Sequence, residues 1–304
     1  AFEPVCYRGR NTVREFIFKI KEVEKMLMEK IKHNEPMVMT AQDKGDFKCA
    51  SNCCLCEKPL GKDRVRDHDH LTGAYRGAAH SKCNIEEGKK RTRNFTIPVF
   101  FHNLKGYDGH LIVSEIGKHT SKLSAIPQNY EKMISFSFNH LRFLDSASFL
   151  AASLNTLVDN LYQDGKGKHK FAHSAQHCAQ PQHLDLLLRK GIYPYDYMDS
   201  WGKMDETQLP ERPAFFSKLT DSHISDEDYQ HGQRVWDAFE CKTLGDYHDL
   251  YMRTDVLLLA DVFESFRSVA LDYYGLDPAH YFTTPNFAWD AMLKKTKVKL
   301  DLIT

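Results

Sequence analysis

Between Arg64 and Asn84 the chain reads RVRDHDHLTGAYRGAAHSKCN, two Asp-His pairs in tandem followed by His, Cys and Asn. Upstream, Cys53 and Cys56 form a C-x-x-C knuckle, and His80 with Cys83 forms an H-x-x-C knuckle. Two short knuckles separated by a loop are how a chain wraps tetrahedral zinc, because each brings two ligands to one ion. Cys49 and Cys54 are spare thiols, and by spacing alone one of them could replace Cys53. The bland reading is a set of unrelated cysteines in a buried turn.

Asp67, His68, Asp69 and His70 lie between the knuckles. Successive side chains of a strand point to opposite faces. One face can offer a carboxylate to a hard divalent cation while the neighbouring residue positions an imidazole. Phosphodiester hydrolysis uses both: a cation polarises the phosphate, and a general base activates water. Asn84 directly follows the second knuckle and can add a carbonyl oxygen to the same cation. The same residues would also suit a structural zinc module without a working centre, or a second metal site.

The elements that must position these groups follow from composition and pattern. With 304 residues and 42% hydrophobic content, the chain has room for one large domain or two modest ones. Lys+Arg and Asp+Glu both number 41, so no global field attracts nucleic acid, although local patches can. No apolar run approaches the length of a membrane span, and the N-terminus lacks the apolar core of a secretory signal. An intracellular, nuclear protein without membrane partners is expected. Five of the eight cysteines fall between 49 and 83, beside histidines, which fits metal binding better than a disulfide framework.

Residues 1–48 form an N-terminal segment whose apolar spacing from Asn11 to His33 predicts an amphipathic helix capped by Asn11. Residues 49–93 are poor in large aliphatics and depend on metal to fold. They end on a basic linker, Lys89 to Arg93, that could meet phosphates. Residues 94–304 begin with the apolar runs FTIPVFFHN and LRFLDSASFL, each followed by a helical pattern, which predicts an α/β domain. Residues 164–183 read as an exposed loop, so His169, His173, His177 and Cys178 are given no metal. The aromatics of YPYDYMDSW, Trp201 among them, read as core packing rather than base stacking. A long helix or helix pair ends at Gly275.

The order C-x-x-C, DHDH-x-TG-x-x-RG, H-x-x-C-N resembles the recombination endonuclease VII branch of the His-Me finger (HNH) nucleases, over roughly residues 50–90. The resemblance implies a small zinc-bound ββα module, with Cys53, Cys56, His80 and Cys83 on structural Zn²⁺. It implies Asp67 and Asn84 as ligands of Mg²⁺ or Mn²⁺, and His68 as the general base. His70 would support a phosphate or the metal, Arg76 would contact phosphate, and Asp69 is left without a role. Branched DNA as substrate and a homodimer are further implications. His80 departs from the pattern, which has cysteine at that ligand.

Tyr251 and Asp255, four residues apart, share a helix face, where a carboxylate and a tyrosine can bind a cation and orient water. Asp108 follows a predicted strand and opens a helix, although an Asp there is also an ordinary cap. With Asn103 they resemble the 3′→5′ exonuclease domain of protein-primed family B DNA polymerases from viruses and Maverick/Polinton-like elements. On that resemblance Asn103 and Asp108 match the second exonuclease motif, and Tyr251 and Asp255 the third. Ser153 and Leu154 would contact single-stranded DNA, Lys190 would be the auxiliary lysine, and the fold would be a ribonuclease H-like (DnaQ-type) mixed sheet with helices. The first motif, D-x-E, occurs nowhere in residues 1–100. Two-metal chemistry needs more carboxylates than Asp108 and Asp255 supply, so exonuclease activity is expected to be absent or feeble. The sequence thus points to a DNA endonuclease on a degenerate exonuclease scaffold, either a domesticated remnant or part of a longer polymerase. The alternative is a non-catalytic DNA-binding module.

Overall fold

The computed structural model describes residues 3–118, 122–164, 167–178, 180–189, 191–298 and 300. The architecture is mixed α/β. The chain divides into two compact units, neither of which follows the composition boundaries at 48/49 and 93/94. One comprises Arg10–Val99 and Lys105–Leu144, the other Ala1–Gly9, Phe100–Leu104 and Asp145–Thr304.

The first unit opens with α1 (Thr12–Lys32), the predicted amphipathic helix, which buries Ile17 and Met28. Asn11 stands at its N-cap position, but with a left-handed backbone (φ 64°) and no side-chain cap. Next comes α2 (Ala41–Cys49), started by a reciprocal capping box between Thr40 and Asp43. The strands β1 (Arg64–His68) and β2 (Tyr75–His80) pair antiparallel and lead into α3 (Ser81–Asn94). The basic stretch from Lys89, expected as a linker, is the second half of α3. A second sheet has the strand order β3-β6-β5-β4. Its members are β3 (Ile97–Phe101), β4 (Ser124–Pro127), β5 (Met133–Phe138) and β6 (Leu141–Asp145), with α4 (Asp108–Gly117) between β3 and β4. The hairpin of β5 and β6 turns at Asn139, whose left-handed backbone (φ 52°) is a conformation asparagine tolerates.

Stacked Phe136 and Phe143, 4.7 Å between centroids, form the floor of this unit, and Phe16 of α1 meets Phe143 edge-on. Glu24 is buried, and its carboxylate accepts from the His140 backbone N–H (2.8 Å) and the Asn139 amide (3.4 Å). A buried carboxylate is tolerated only when hydrogen-bonded. Glu24 therefore fixes α1 onto the β5–β6 turn.

The second unit is mostly helical: α5 (Leu154–Asp164), α6 (Ala172–Gln176), α7 (Pro181–Leu187), α8 (Asp226–Ala238), α9 (Leu244–Tyr274) and α10 (Thr284–Thr296). A capping box of Thr243 and Asp246 starts α9, and Gly275 ends it with φ 60°, the left-handed geometry a C-cap glycine supplies without strain. Val158, Phe171, Leu184, Leu258 and Val262 form one buried cluster.

Two expectations are corrected here. Residues 164–183 are not one exposed loop: α6 lies within them, Phe171 is fully buried and Ser174 nearly so. The cause is Asp261, 1% exposed on α9, whose carboxylate accepts from the backbone N–H groups of His173 and Ser174 and from the Ser174 hydroxyl. The aromatics of YPYDYMDSW are not all core either. Tyr193 and Tyr197 pack against the cluster of Val235, Leu244 and Tyr247, whereas Tyr195 and Trp201 are exposed.

Candidate active site and metal centre

The metal centre comes from three elements. Cys53 and Cys56 sit in the turn before β1, His80 ends β2, and Cys83 lies in the first turn of α3. Their ligand atoms all fall within 4.8 Å of one another. His80 Nδ1 is 3.5 Å from Cys56 Sγ and 3.8 Å from Cys83 Sγ. Tetrahedral zinc with its usual bond lengths separates such donors by about 3.6 Å, so this set fits that ion. On the other side of the ring, His80 Nε2 donates to the Pro59 carbonyl at 3.0 Å. That bond fixes the tautomer and leaves the Nδ1 lone pair for the metal, as outer-shell partners of metal-binding histidines do. Histidine in the cysteine's place is thus accommodated, with an orienting partner of its own.

The thiols respond differently to the crowding. Burial pushes the Cys53 thiol up, but backbone N–H groups of His80, Leu55 and Cys56 directed at its sulfur outweigh that and bring it down to about 6. Burial, then the Cys56 and Cys53 sulfurs, push the Cys83 thiol up to about 11. Cys54 is not part of the set: it is exposed and lies against Gly77, where a Cβ would stand 2.7 Å from its own Cβ. With φ 155°, Gly77 is required both by its backbone and by this approach.

The hairpin register explains where the Asp-His pairs go. Asp67 opposes Gly77, His68 opposes Tyr75, and the register shifts between them, leaving Arg76 as the unopposed residue of a bulge. The bulge aims Arg76 at its neighbour: Nη2 lies 2.7 Å from Asp67 Oδ1. Asp67 is 2% exposed, so this is an inward carboxylate with a guanidinium partner. Its Oδ2 makes no hydrogen bond among the described residues. Arg76, expected on a phosphate, is on Asp67 instead.

His68 points outward, and its Nε2 lies 2.9 Å from Asn34 Oδ1. The segment after α1 is held on the DHDHLTG turn by two backbone bonds, Glu35 N–H to the His70 carbonyl and Val38 N–H to the Gly73 carbonyl, each 2.8 Å. The rings of His68 and His70 are 4.9 Å apart. His70 and Asn84 line one open groove of about 700 Å³. Asp69 does a local job: it accepts from the N–H groups of Leu71 and Thr72, which holds its carboxyl below the ordinary value and shapes the turn. His70 and Asn84 therefore line one groove, His68 stands beside it through its contact with His70, and Asp67 is buried on Arg76. Asn34 was missed from sequence; it lies in no motif, and only the docking of the α1–α2 connection brings it to His68.

In the second unit, Tyr251 and Asp255 lie one turn apart on α9. The Tyr251 hydroxyl meets that of Tyr195 at 2.6 Å, and burial, this bond and Asp255 hold it well above the ordinary phenol value. Asn103 has φ 65° and its backbone N–H donates to buried Asp145. Asp108 opens α4, as its sequence context predicts, but belongs to the other unit. Ser153 accepts from the Thr156 N–H at the start of α5, and Leu154 packs against the core, so both have structural work. Lys190 lies outside the described residues.

An antiparallel hairpin, the helix that follows it, and a Cys₃His set that could hold zinc between them make a ββα arrangement beside a groove lined by His70 and His140. The family model of recombination endonuclease VII matches residues 24–101, which are therefore endonuclease VII-like. The match takes in the second half of α1 and β3, and so extends beyond residues 49–93 on both sides. No curated protein and no solved structure matches the chain. Nothing in these comparisons supports an origin in family B polymerases or mobile elements, and that resemblance rests on its motif residues alone. Among the described residues no helix is long and apolar enough to cross a membrane.

Proposed function

We propose that this chain hydrolyses phosphodiester bonds of DNA as an endonuclease, with His68 as general base. The observation that carries the reading is the His68–Asn34 bond within an endonuclease VII-like stretch. The acceptor oxygen of Asn34 keeps the proton on Nε2, so Nδ1 is the free lone pair that takes a proton from water. His70, beside it, and Asn84, in the same groove, are placed to hold the phosphate side of the reaction.

Asp67 and Asn84 supply a carboxylate and an amide oxygen, hard donors of the kind Mg²⁺ or Mn²⁺ takes. Such a cation would polarise the phosphate and stabilise the departing oxygen. Asp67 would serve it through Oδ2, or through Oδ1 after Arg76 moves off. The zinc set is remote in chemistry from this step; it holds β2 and α3 together so that Asn84 stays at the groove.

The test is nicking of supercoiled and branched DNA with and without magnesium. His68→Ala is expected to lower the rate by a factor of about 10² to 10⁴ while zinc content and thermal transition stay as in the parent. Undiminished cutting by His68→Ala would remove the assignment. A ribonuclease H-like scaffold for residues 94–304 is supported by Tyr251 one turn from Asp255 on α9. With so few carboxylates available, no exonuclease activity is expected from it.

A further inference from the structure

The groove that holds His70 and Asn84 does not end at the ββα module. Its wall also includes Lys89 of α3, Lys32 of α1 and His140 of the β5–β6 turn. A second open groove, of about 670 Å³, shares Met28, Lys32 and His140 with the first and continues along α1 past Lys25 to Lys21. Lys21, Lys25 and Lys32 are spaced i, i+4, i+11, which keeps them within an arc of about 40° on the helix. All three are exposed, as is Lys89, and none of the four forms an ion pair among the described residues.

The exposed acids beside this face are Glu22, which lines the second groove, and Glu29, one turn on from Lys25, and neither is ion-paired with a stripe lysine among the described residues. Glu22 is paired with Lys19 at 2.9 Å. Glu24 is buried and spent on the Asn139 and His140 hydrogen bonds. His140 is held by two bonds, its N–H on Glu24 and its Nδ1 on the Phe95 carbonyl (3.0 Å), so the turn presents a fixed edge to the groove. A chain with zero net charge has here a row of cations without ion pairs among the described residues, along one helix, that leads to His70 and Asn84.

We infer that Lys21, Lys25 and Lys32 of α1, continued by His140 and Lys89, form a track for the sugar-phosphate backbone of duplex DNA leading to the scissile phosphate. The inference rests on the endonuclease reading for the end of the track, and on the lysine stripe for its course. From Lys21 to Lys32 the helix rises about 16 Å, which spans about five base-pair steps of duplex axis. The contacts are to phosphates, so they set register and affinity and carry no sequence preference.

The test measures binding of the full-length chain to a short fluorescent DNA duplex across a salt series, in a His68→Ala background so that the DNA is not consumed. The variant combines Lys21→Ala, Lys25→Ala and Lys32→Ala. A control combines Lys118→Ala, Lys218→Ala and Lys295→Ala, which removes the same charge elsewhere. If all three stripe lysines meet phosphates, the slope of log K against log salt falls in magnitude by about 2.7, with the control unchanged. An equal fall in variant and control, or no fall in either, overturns the track. Single-turnover cleavage in the His68 background of the parent separates the two readings. Cleavage with an unaltered slope in the stripe variant sinks the track and leaves the nuclease standing. A lost slope in a chain that never cleaves sinks the nuclease and leaves a phosphate-binding face.

Discussion

Asn34 holds His68 from a segment 34 residues away in sequence, Oδ1 to Nε2 at 2.9 Å. An amide oxygen only accepts, so this contact selects one tautomer of the ring and fixes its plane. Asn34→Ala removes that selection without touching the imidazole. A cleavage rate lower by about ten- to a hundredfold, with duplex affinity unchanged, is expected from a lost orienting partner of this kind. Asn34→Asp keeps an acceptor and should recover part of the rate. Single-turnover nicking of the two variants checks both, and equal rates for Asn34→Ala and the parent would show that the bond has no part in the chemistry.

Zinc binding should depend on pH with a definite sign. The metal takes thiolates and a neutral His80, so protonation competes with it. Cys53, held down to about 6, is already largely ionised at neutral pH, whereas Cys83, pushed up to about 11, must release its proton on binding. The Pro59 carbonyl and then the Cys56 sulfur push His80 up from its ordinary value, so it too takes a proton as the medium becomes acidic. Zinc affinity therefore falls already as pH drops below the Cys83 value and falls more steeply as pH passes down through the Cys53 value, where a second thiol takes up a proton. Below about pH 6 the affinity should fall by at least about tenfold per pH unit. Competition with a chromophoric chelator at several pH values measures this, and a flat profile would exclude the Cys₃His set as the ligand.

Asp261 offers a stability test in the second unit. Its carboxylate satisfies three donors, the N–H groups of His173 and Ser174 and the Ser174 hydroxyl. Asp261→Leu would leave all three buried or half-buried without an acceptor, and also forfeit charge-assisted bonds worth about 1.5–3 kcal/mol each at most. A loss of about 3 kcal/mol or more is expected by urea denaturation, with α6 detaching first in hydrogen exchange. A loss under about 1 kcal/mol would mean that α6 holds its place by packing alone.

These cases show what was readable from sequence. The convergence of Cys53, Cys56, His80 and Cys83 was legible because each knuckle closes locally, and their residue types suit zinc. The course of α9 was legible from its periodicity and the glycine at its end. The Thr40–Asp43 capping box marks the start of α2 as a local sequence signal too. Polar composition concealed the packing of residues 164–183, since one buried carboxylate 87 residues away in sequence decides it. Asn34 and the bulge at Arg76 follow from tertiary docking and strand register, which no local pattern records. Strand alternation, which the sequence does record, separates buried Asp67 from outward His68, but the Arg76 partner of Asp67 depends on the register shift.

That inward position of Asp67 leads to the last expectation. Arg76→Ala strips a 2% exposed carboxylate of its partner, and an uncompensated buried charge is costly. Arg76 is itself about a quarter exposed, with a side-chain accessibility of 26%, so solvent screens part of the pair. A destabilisation of about 2–3 kcal/mol follows, below the range for fully buried pairs. Magnesium then becomes diagnostic. If Asp67 is a cation ligand, millimolar Mg²⁺ should restore much of the lost thermal stability of Arg76→Ala and do little for the parent, whose guanidinium competes for Oδ1. Restoration should vanish in the double variant Arg76→Ala/Asp67→Asn. A thermal transition of Arg76→Ala that ignores magnesium would make Asp67 a structural partner of Arg76 and leave Asn84 without a carboxylate to share a cation with.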